Sequence, residues 1–159
     1  MKLLGRWTLT VVGSGPAQEH LEALAERLGI ASRITWHGPA PAEKLRELWP
    51  TLDCLVVPSR TTPHWVETFH PAMVEAMGHG VTVVASDSGA LPELVDTAGL
   101  VVPEDDVPAL TAALQHLADA PRERTRLGRE ARLRVMTEYV DNAVARRTLE
   151  FWEKVLGKG

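Results

Sequence analysis

A chain of 159 residues has room for one domain with a proper core and hardly for two. Hydrophobic residues make up 45% and charged residues 24%, the balance of an ordinary soluble globular protein. A formal net charge of -4 argues against a surface that neutralises many phosphates, so nucleic acid is not an expected partner.

In chain order, short runs rich in valine and isoleucine alternate with helical patterns. Leu9 to Gly13 reads as a strand that ends at the turn Gly13-Ser14-Gly15-Pro16. Leu21, Leu24, Ala25 and Leu28 then mark one helix face, stopped by Gly29. RITWHG is a second short strand, followed by a helix from Ala42 to Trp49 with Leu45, Leu48 and Trp49 inward. DCLVVPS is a nearly continuous apolar strand, the pattern expected where helices cover both sheet faces. A loop from Arg60 to Phe69 leads to a helix starting at His70 or Pro71 and ending at Gly80. VTVVAS and GLVVP are further strands, separated by a turn and short helix in SGALPELV. From Val107 the pattern is helical throughout, over Val107 to Ala118, Pro121 to Tyr139 and Asp141 to Leu156.

Alternation of strands and helices with short connections predicts right-handed crossovers and an α/β, doubly wound, Rossmann-like parallel sheet with a helical C-terminal tail. Ligands in such sheets bind beyond the carboxyl ends of the strands, where the loops GSGP, HGPAP, PSRTTPHWVETFH and SDSGALPE fall. The single cysteine, Cys54, lies in an apolar run; it forms no intrachain disulfide and reads as a buried thiol. No stretch reaches the roughly 18 apolar residues of a membrane span, and MKLLGRW has no region suited to a signal peptide, so the cytoplasm is the expected location. The basic residues between Arg122 and Arg134, interleaved with Glu123 and Glu130, read as a solvated, salt-bridged helix face.

Glu67 and Glu75 stand with seven residues between them in ETFHPAMVEA. Pro71 suits a first helical turn, which puts Glu67 just before the helix and Glu75 just over one turn inside it. The helix start offers unpaired N–H groups to an anion, and the flanking carboxylates can accept bonds from sugar hydroxyls. The spacing alone is equally consistent with a helix-dipole partner and a solvated helical residue. Gly13-Ser14-Gly15 fails as a dinucleotide fingerprint because Gln18 stands where the third glycine belongs, and no acidic residue closes RITWHG. The six histidines form no zinc pattern, and Ser59 lacks the flanking glycines of a nucleophile elbow. His64 and His70 are the two histidines on the ligand-side loop.

VGSGP, ITWHG, DCLVVPS, ETFHPAMVEAMGHG, VTVVASDSGALPEL and GLVVP, in that order, resemble the C-terminal, donor-binding domain of family-4 glycosyltransferases of GT-B architecture. The likeness runs from about Leu9 to Pro103. It implies a retaining transferase of hexosyl type whose donor is a nucleotide-diphosphate sugar, with no metal and no other cofactor required. Glu67 is implied to face the sugar as the catalytic residue, and Glu75 to bind the ribose. N–H groups of Thr68, Phe69, His70 and Ala72 are implied to hold the diphosphate, while Gly38, Pro39 and Ala40 lie along the base; Gly13, in the first glycine turn, is a further nucleotide-binding candidate, read equally as a tight strand-to-helix turn or a phosphate contact. His70-Pro71 departs from the glycine usual in the family, and Lys2 and Arg6 do not match its basic pair. Residues 1–159 therefore read as one nucleotide-sugar-binding domain lacking its first strand and helix, with an N-terminal domain or partner chain expected to complete it. A non-catalytic nucleotide-sugar-binding subunit or sensor is the alternative, and a nicotinamide-dependent oxidoreductase the remote third reading.

Overall fold

The computed structural model describes residues 7–157; Lys2 and Arg6 lie outside them. Within that span the elements follow the predicted order closely. They are β1 (Leu9–Val11), α1 (Gln18–Arg27), β2 (Ile34–Trp36), α2 (Ala42–Leu48), β3 (Cys54–Val57), α3 (Pro71–Gly78) and β4 (Thr82–Ser86). After them come α4 (Leu91–Val95), β5 (Leu100–Val102), α5 (Val107–Asp119), α6 (Pro121–Glu138) and α7 (Asp141–Val155).

All strand pairs are parallel, but they form two sheets rather than one: β1-β2, and β3-β4-β5. β1 and β3 each keep one hydrogen-bonding edge without a strand partner among the described residues. In β4 all five residues are buried, as a central parallel strand covered on both faces requires. Val57, Met73, Met77, Val83, Ala85, Leu91, Leu94 and Val95 join Ala131 and Val135 of α6 in the main core. Val84, Val102, Leu117 and Leu127 form a second cluster on the opposite face of β4.

The first unit is covered much less. Of the predicted inward face of α1, only Ala25 is buried, while Leu21 and Leu28 are each 44% exposed. A two-stranded sheet offers too little surface to cover four helical positions, so the period is right but its partner is short. Trp49, predicted inward, is buried against Ala76 and Val81, though it belongs to a 3-10 turn at the end of α2.

Proline and side-chain caps set the helix starts. Pro71 opens α3, and Asp106 caps α5 by accepting the Ala109 N–H at 2.8 Å. The basic stretch of α6 does more than solvate a face. Arg126 pairs with Glu130 at 2.8 Å on the surface, but Arg134 bonds the carbonyls of Glu93 and Leu94, the exposed end of α4. Cys54 is partly buried, and burial pushes its thiol up to about 12, which leaves it protonated and inert at neutral pH.

Candidate functional site

The register of the larger sheet sets Val57 beside Ala85 and Ser86 beside Val102, so three loops leave the same end of the sheet together. The longest runs from β3 to α3 and carries Glu67. Its burial is inverted. Trp65, Val66 and Phe69 are about half exposed, while Glu67 between them is only 8% exposed. Burying a carboxylate and exposing apolar neighbours costs free energy, so the arrangement needs a function or a partner. Ser59 Oγ donates to Glu67 Oε2 at 3.3 Å, and no other group among the described residues hydrogen-bonds that carboxylate. A carboxylate has about four lone-pair sites. Most of them have no hydrogen-bond partner among the described residues.

The backbone of Glu67 is held instead by the β4–α4 turn, through the Ala90 N–H to the Glu67 carbonyl at 2.8 Å. The start of the loop is tied by side chains. Ser86 Oγ donates to the Ser59 carbonyl at 2.5 Å, and Thr61 Oγ1 lies 3.0 Å from Ser88 Oγ. Glu104, just past β5, receives the Thr61 amide at 2.8 Å and the Thr61 hydroxyl at 2.7 Å. Asp87 accepts the Glu104 N–H at 2.7 Å, closing the network across all three loops. The hydroxyl and amide of Thr61 hold the Glu104 carboxyl below the ordinary carboxylate value. A depressed value means the tie is present at neutral pH and is lost as pH falls through that lowered titration. Glu104→Ala at neutral pH should therefore lower the protection of the Thr61 amide proton against exchange without unfolding the sheet, as read by hydrogen exchange at one fixed pH. Sequence reading placed the β3–α3 and β4–α4 loops at the ligand end, but not the loop after β5, and did not single out Ser86, Ser88 or Glu104. The visible signal was the acidic run Glu104-Asp105-Asp106 directly after a strand.

At the start of α3, His70 is the N-cap, and its Nδ1 accepts the Met73 N–H at 3.1 Å. That role places the ring proton of neutral His70 on Nε2. It also uses up one N–H of the first turn, and Pro71 has none to give. Ala72 keeps its N–H, and Thr68 and Phe69 are exposed just before the helix. Phe69 rests 6.5 Å, ring to ring, from Tyr139. Glu75 is exposed on α3, about 6 Å up the axis from Pro71. Met73, Ala76 and Met77 face the core, so the apolar company of Glu75 in the sequence does not bury it.

The remaining predicted residues gather on the smaller sheet. Gly13 donates its N–H to the Gly38 carbonyl at 2.7 Å, and both have positive φ, 121° and 62°. Nothing crowds either position, so the backbone angle alone asks for glycine there. Ala40 lines a cleft of about 160 Å³ with Val12, His37, Lys44, Leu48 and Thr51, while Pro39 stands exposed beside it. No hydrogen bond joins this group to the Glu67 group among the described residues. Nor do the described residues hold any cluster of three or more metal-ligating side chains, or a helix long and apolar enough to cross a membrane.

This combination of parallel sheet, buried loop carboxylate and glycine turns coincides with a family match. The model for "Glycosyl transferases group 1" covers residues 1–120. The chain belongs to that family. Among relatives, it is 36% identical over 141 residues to the MMP alpha-(1->4)-mannosyltransferase of Mycolicibacterium hassiacum, covering 86% of this chain and 33% of that protein. It is 36% identical over 124 residues to the GDP-mannose-dependent alpha-(1-6)-phosphatidylinositol monomannoside mannosyltransferase of Mycolicibacterium smegmatis, covering 76% and 32%. The solved sucrose-phosphate synthase of Thermosynechococcus elongatus superposes with a TM-score of 0.78 at 28% identity, over 96% of this chain and 39% of that one. This group 1 glycosyltransferase chain thus has the Rossmann-like fold of a GT-B half and spans about a third of the length of the curated relatives it matches.

Proposed function

We infer that this domain binds a nucleotide-diphosphate sugar and, joined to an N-terminal domain, transfers a hexosyl group with retention of anomeric configuration. The observation that carries the reading is Glu67, a buried carboxylate with one long hydrogen bond at the convergent end of three strands. Glu67 is assigned to the sugar hydroxyls and Glu75 to the ribose. The N–H groups of Thr68, Phe69, His70 and Ala72 are assigned to the diphosphate. Gly38, Pro39 and Ala40 are assigned to the base, beside the cleft at the end of β2, with Gly13 in the nucleotide-binding turn bonded to Gly38. With Pro71 lacking an N–H and Met73 engaged, the backbone offers fewer donors than an ordinary helix start. His70 compensates: its Nε2–H is a side-chain donor beside the same turn, and no metal is needed to hold the leaving diphosphate.

The partner domain is supported by apolar surface left uncovered. Val144, Phe151, Trp152 and Val155 share one face of α7 at helical spacing, and each is between 47% and 60% exposed. Leu21 and Leu28 of α1 are likewise exposed, and β1 and β3 each keep an edge without a strand partner among the described residues.

Glu75→Ala tests the ribose assignment. The variant should bind nucleoside diphosphates roughly 10- to 100-fold more weakly than wild type by calorimetry, the worth of hydrogen bonds to a charged acceptor. Because Glu75 is exposed, the substitution should leave the melting temperature nearly unchanged. Equal affinities would remove Glu75 from the site.

A further inference from the structure

Resting on the assignment of Glu67 to the donor sugar, we propose that Gly89 is a positioning residue for Glu67, acting through direct backbone contact between the β4–α4 turn and the Glu67 loop. Glu67 belongs to no helix or strand, so no regular ladder fixes its place. What fixes it is the turn at Gly89-Ala90. The Ala90 N–H holds the Glu67 carbonyl at 2.8 Å. Gly89 has a φ of +52°, and a β-carbon there would stand 2.1 Å from the Glu67 carbonyl oxygen and 2.9 Å from its carbonyl carbon. The same β-carbon would meet Val66 Cγ2 at 2.9 Å. Real β-carbons stay beyond 3.0 Å, so any side chain at this position must push the Glu67 backbone away by about 0.9 Å.

Absence of a side chain therefore does two jobs at once. It permits the left-handed turn, and it lets the turn close on the residue whose carboxylate is turned inward. The neighbours show that the contact is a built one. Ser88 on the other side of the turn is fully buried and lies 3.0 Å from Thr61 of the same loop, and Ser86 holds Ser59. Three successive contacts from one turn thus run along the loop from its start to Glu67. Misplacing a group that acts on a reacting centre by about 1 Å costs on the order of 100-fold. A carboxylate that merely accepts sugar hydroxyls loses less, roughly tenfold or more in affinity, once its hydrogen bonds are stretched.

A useful control exists in the same chain. A β-carbon on Gly128 of α6 would also stand 2.1 Å from a backbone oxygen, that of Gly80, but this contact lies in the core packing rather than against Glu67. The test is the ratio of affinities for GDP-mannose over GDP and for UDP-glucose over UDP. It is measured by calorimetry on the whole chain for wild type, Glu67→Ala, Gly89→Ala and Gly128→Ala. Wild type should favour one sugar nucleotide over its diphosphate, and Glu67→Ala and Gly89→Ala should both lose that preference by roughly tenfold or more while still binding the diphosphate. Gly128→Ala should be less stable yet keep the wild-type ratio. If Gly89→Ala keeps the ratio while Glu67→Ala loses it, the positioning role is wrong and the donor assignment stands. If Glu67→Ala behaves as wild type, the donor assignment fails and the proposal with it. Should Gly89→Ala not fold, Ala90→Pro removes the hydrogen bond to the Glu67 carbonyl without adding a side chain at residue 89. Its unchanged ratio would equally overturn the proposal.

Discussion

Glu67→Gln is expected to make the protein more stable and a poorer ligand for sugar nucleotides, two effects of opposite sign from one atom pair. The carboxylate is nearly buried, and its one hydrogen bond, from Ser59, is 3.3 Å long. In the unfolded chain it is fully hydrated, so folding removes hydration that the protein replaces only in part. An amide of the same shape carries a smaller desolvation cost, and a gain of about 1 kcal/mol in unfolding free energy is the expected size. In the ligand-bound protein the balance reverses. Hydrogen bonds from hydroxyls to a charged acceptor are worth about 1.5–3 kcal/mol each, against about half that for a neutral one. Affinity for the sugar nucleotide should fall roughly tenfold or more, with affinity for the bare diphosphate retained. Thermal unfolding and calorimetry on the same preparation read both signs. A variant that is less stable and binds as wild type would show Glu67 to be an ordinary structural carboxylate.

Gly128→Ala is expected to give a large loss of stability away from the loops. Gly128 lies in the middle of α6, where alanine ordinarily gains up to about 1 kcal/mol over glycine. Here the β-carbon would stand 2.1 Å from the Gly80 carbonyl oxygen and 3.1 Å from its carbon. The obstacle is backbone, fixed between α3 and β4, so no side chain can swing aside. Nearby, Thr82 Oγ1 donates to the Arg124 carbonyl at 2.6 Å, and that bond stretches if α6 moves out. Overpacking of this kind costs about 1–3 kcal/mol, and with backbone on both sides the upper part of that range applies. The clash outweighs the propensity gain. A net loss near 2 kcal/mol lowers Tm by about 4–8 °C in a domain of this size. An unchanged or raised Tm would mean that α6 does not pack on Gly80 as described.

The order of elements was legible because periodicity carries it. β4 has an apolar centre of Val83, Val84 and Ala85 and is buried throughout, and Pro71 and Pro121 mark helix starts where they occur. Cys54 was legible for the same reason, as a thiol in an apolar strand. Burial was less legible wherever it depends on what lies opposite. Leu21 and Leu28 have the right spacing, but the sheet they face holds only two strands. Glu75 looked out of place among apolar neighbours, yet a helix puts adjacent residues on different faces, and it is exposed.

At the site, the Glu67 loop and the β4–α4 turn could be placed at the ligand end from strand order alone. The inward turn of Glu67 could not, because it depends on Ser59, Ser86 and Gly89, which are brought together only by the β3–β4 register. Nor could the tie from Glu104 to Thr61, residues 43 apart in the chain. His70 was legible as a departure from the family pattern; its cap on Met73 is a matter of geometry that the pattern does not encode.

The loops at the carboxyl ends of both sheets are assigned to one nucleotide-diphosphate sugar, with its sugar and diphosphate on the β3–α3 loop and its base beside β2. Thermal unfolding of the wild-type chain against a panel of nucleoside diphosphates and their sugars tests it most directly. A ligand at a hundred times its dissociation constant adds about 2.7 kcal/mol of stability. Such a rise is expected for one base, larger with the sugar attached than without it at equal concentration. No rise with any diphosphate, or an equal rise with every one and no added effect of a sugar, would contradict it.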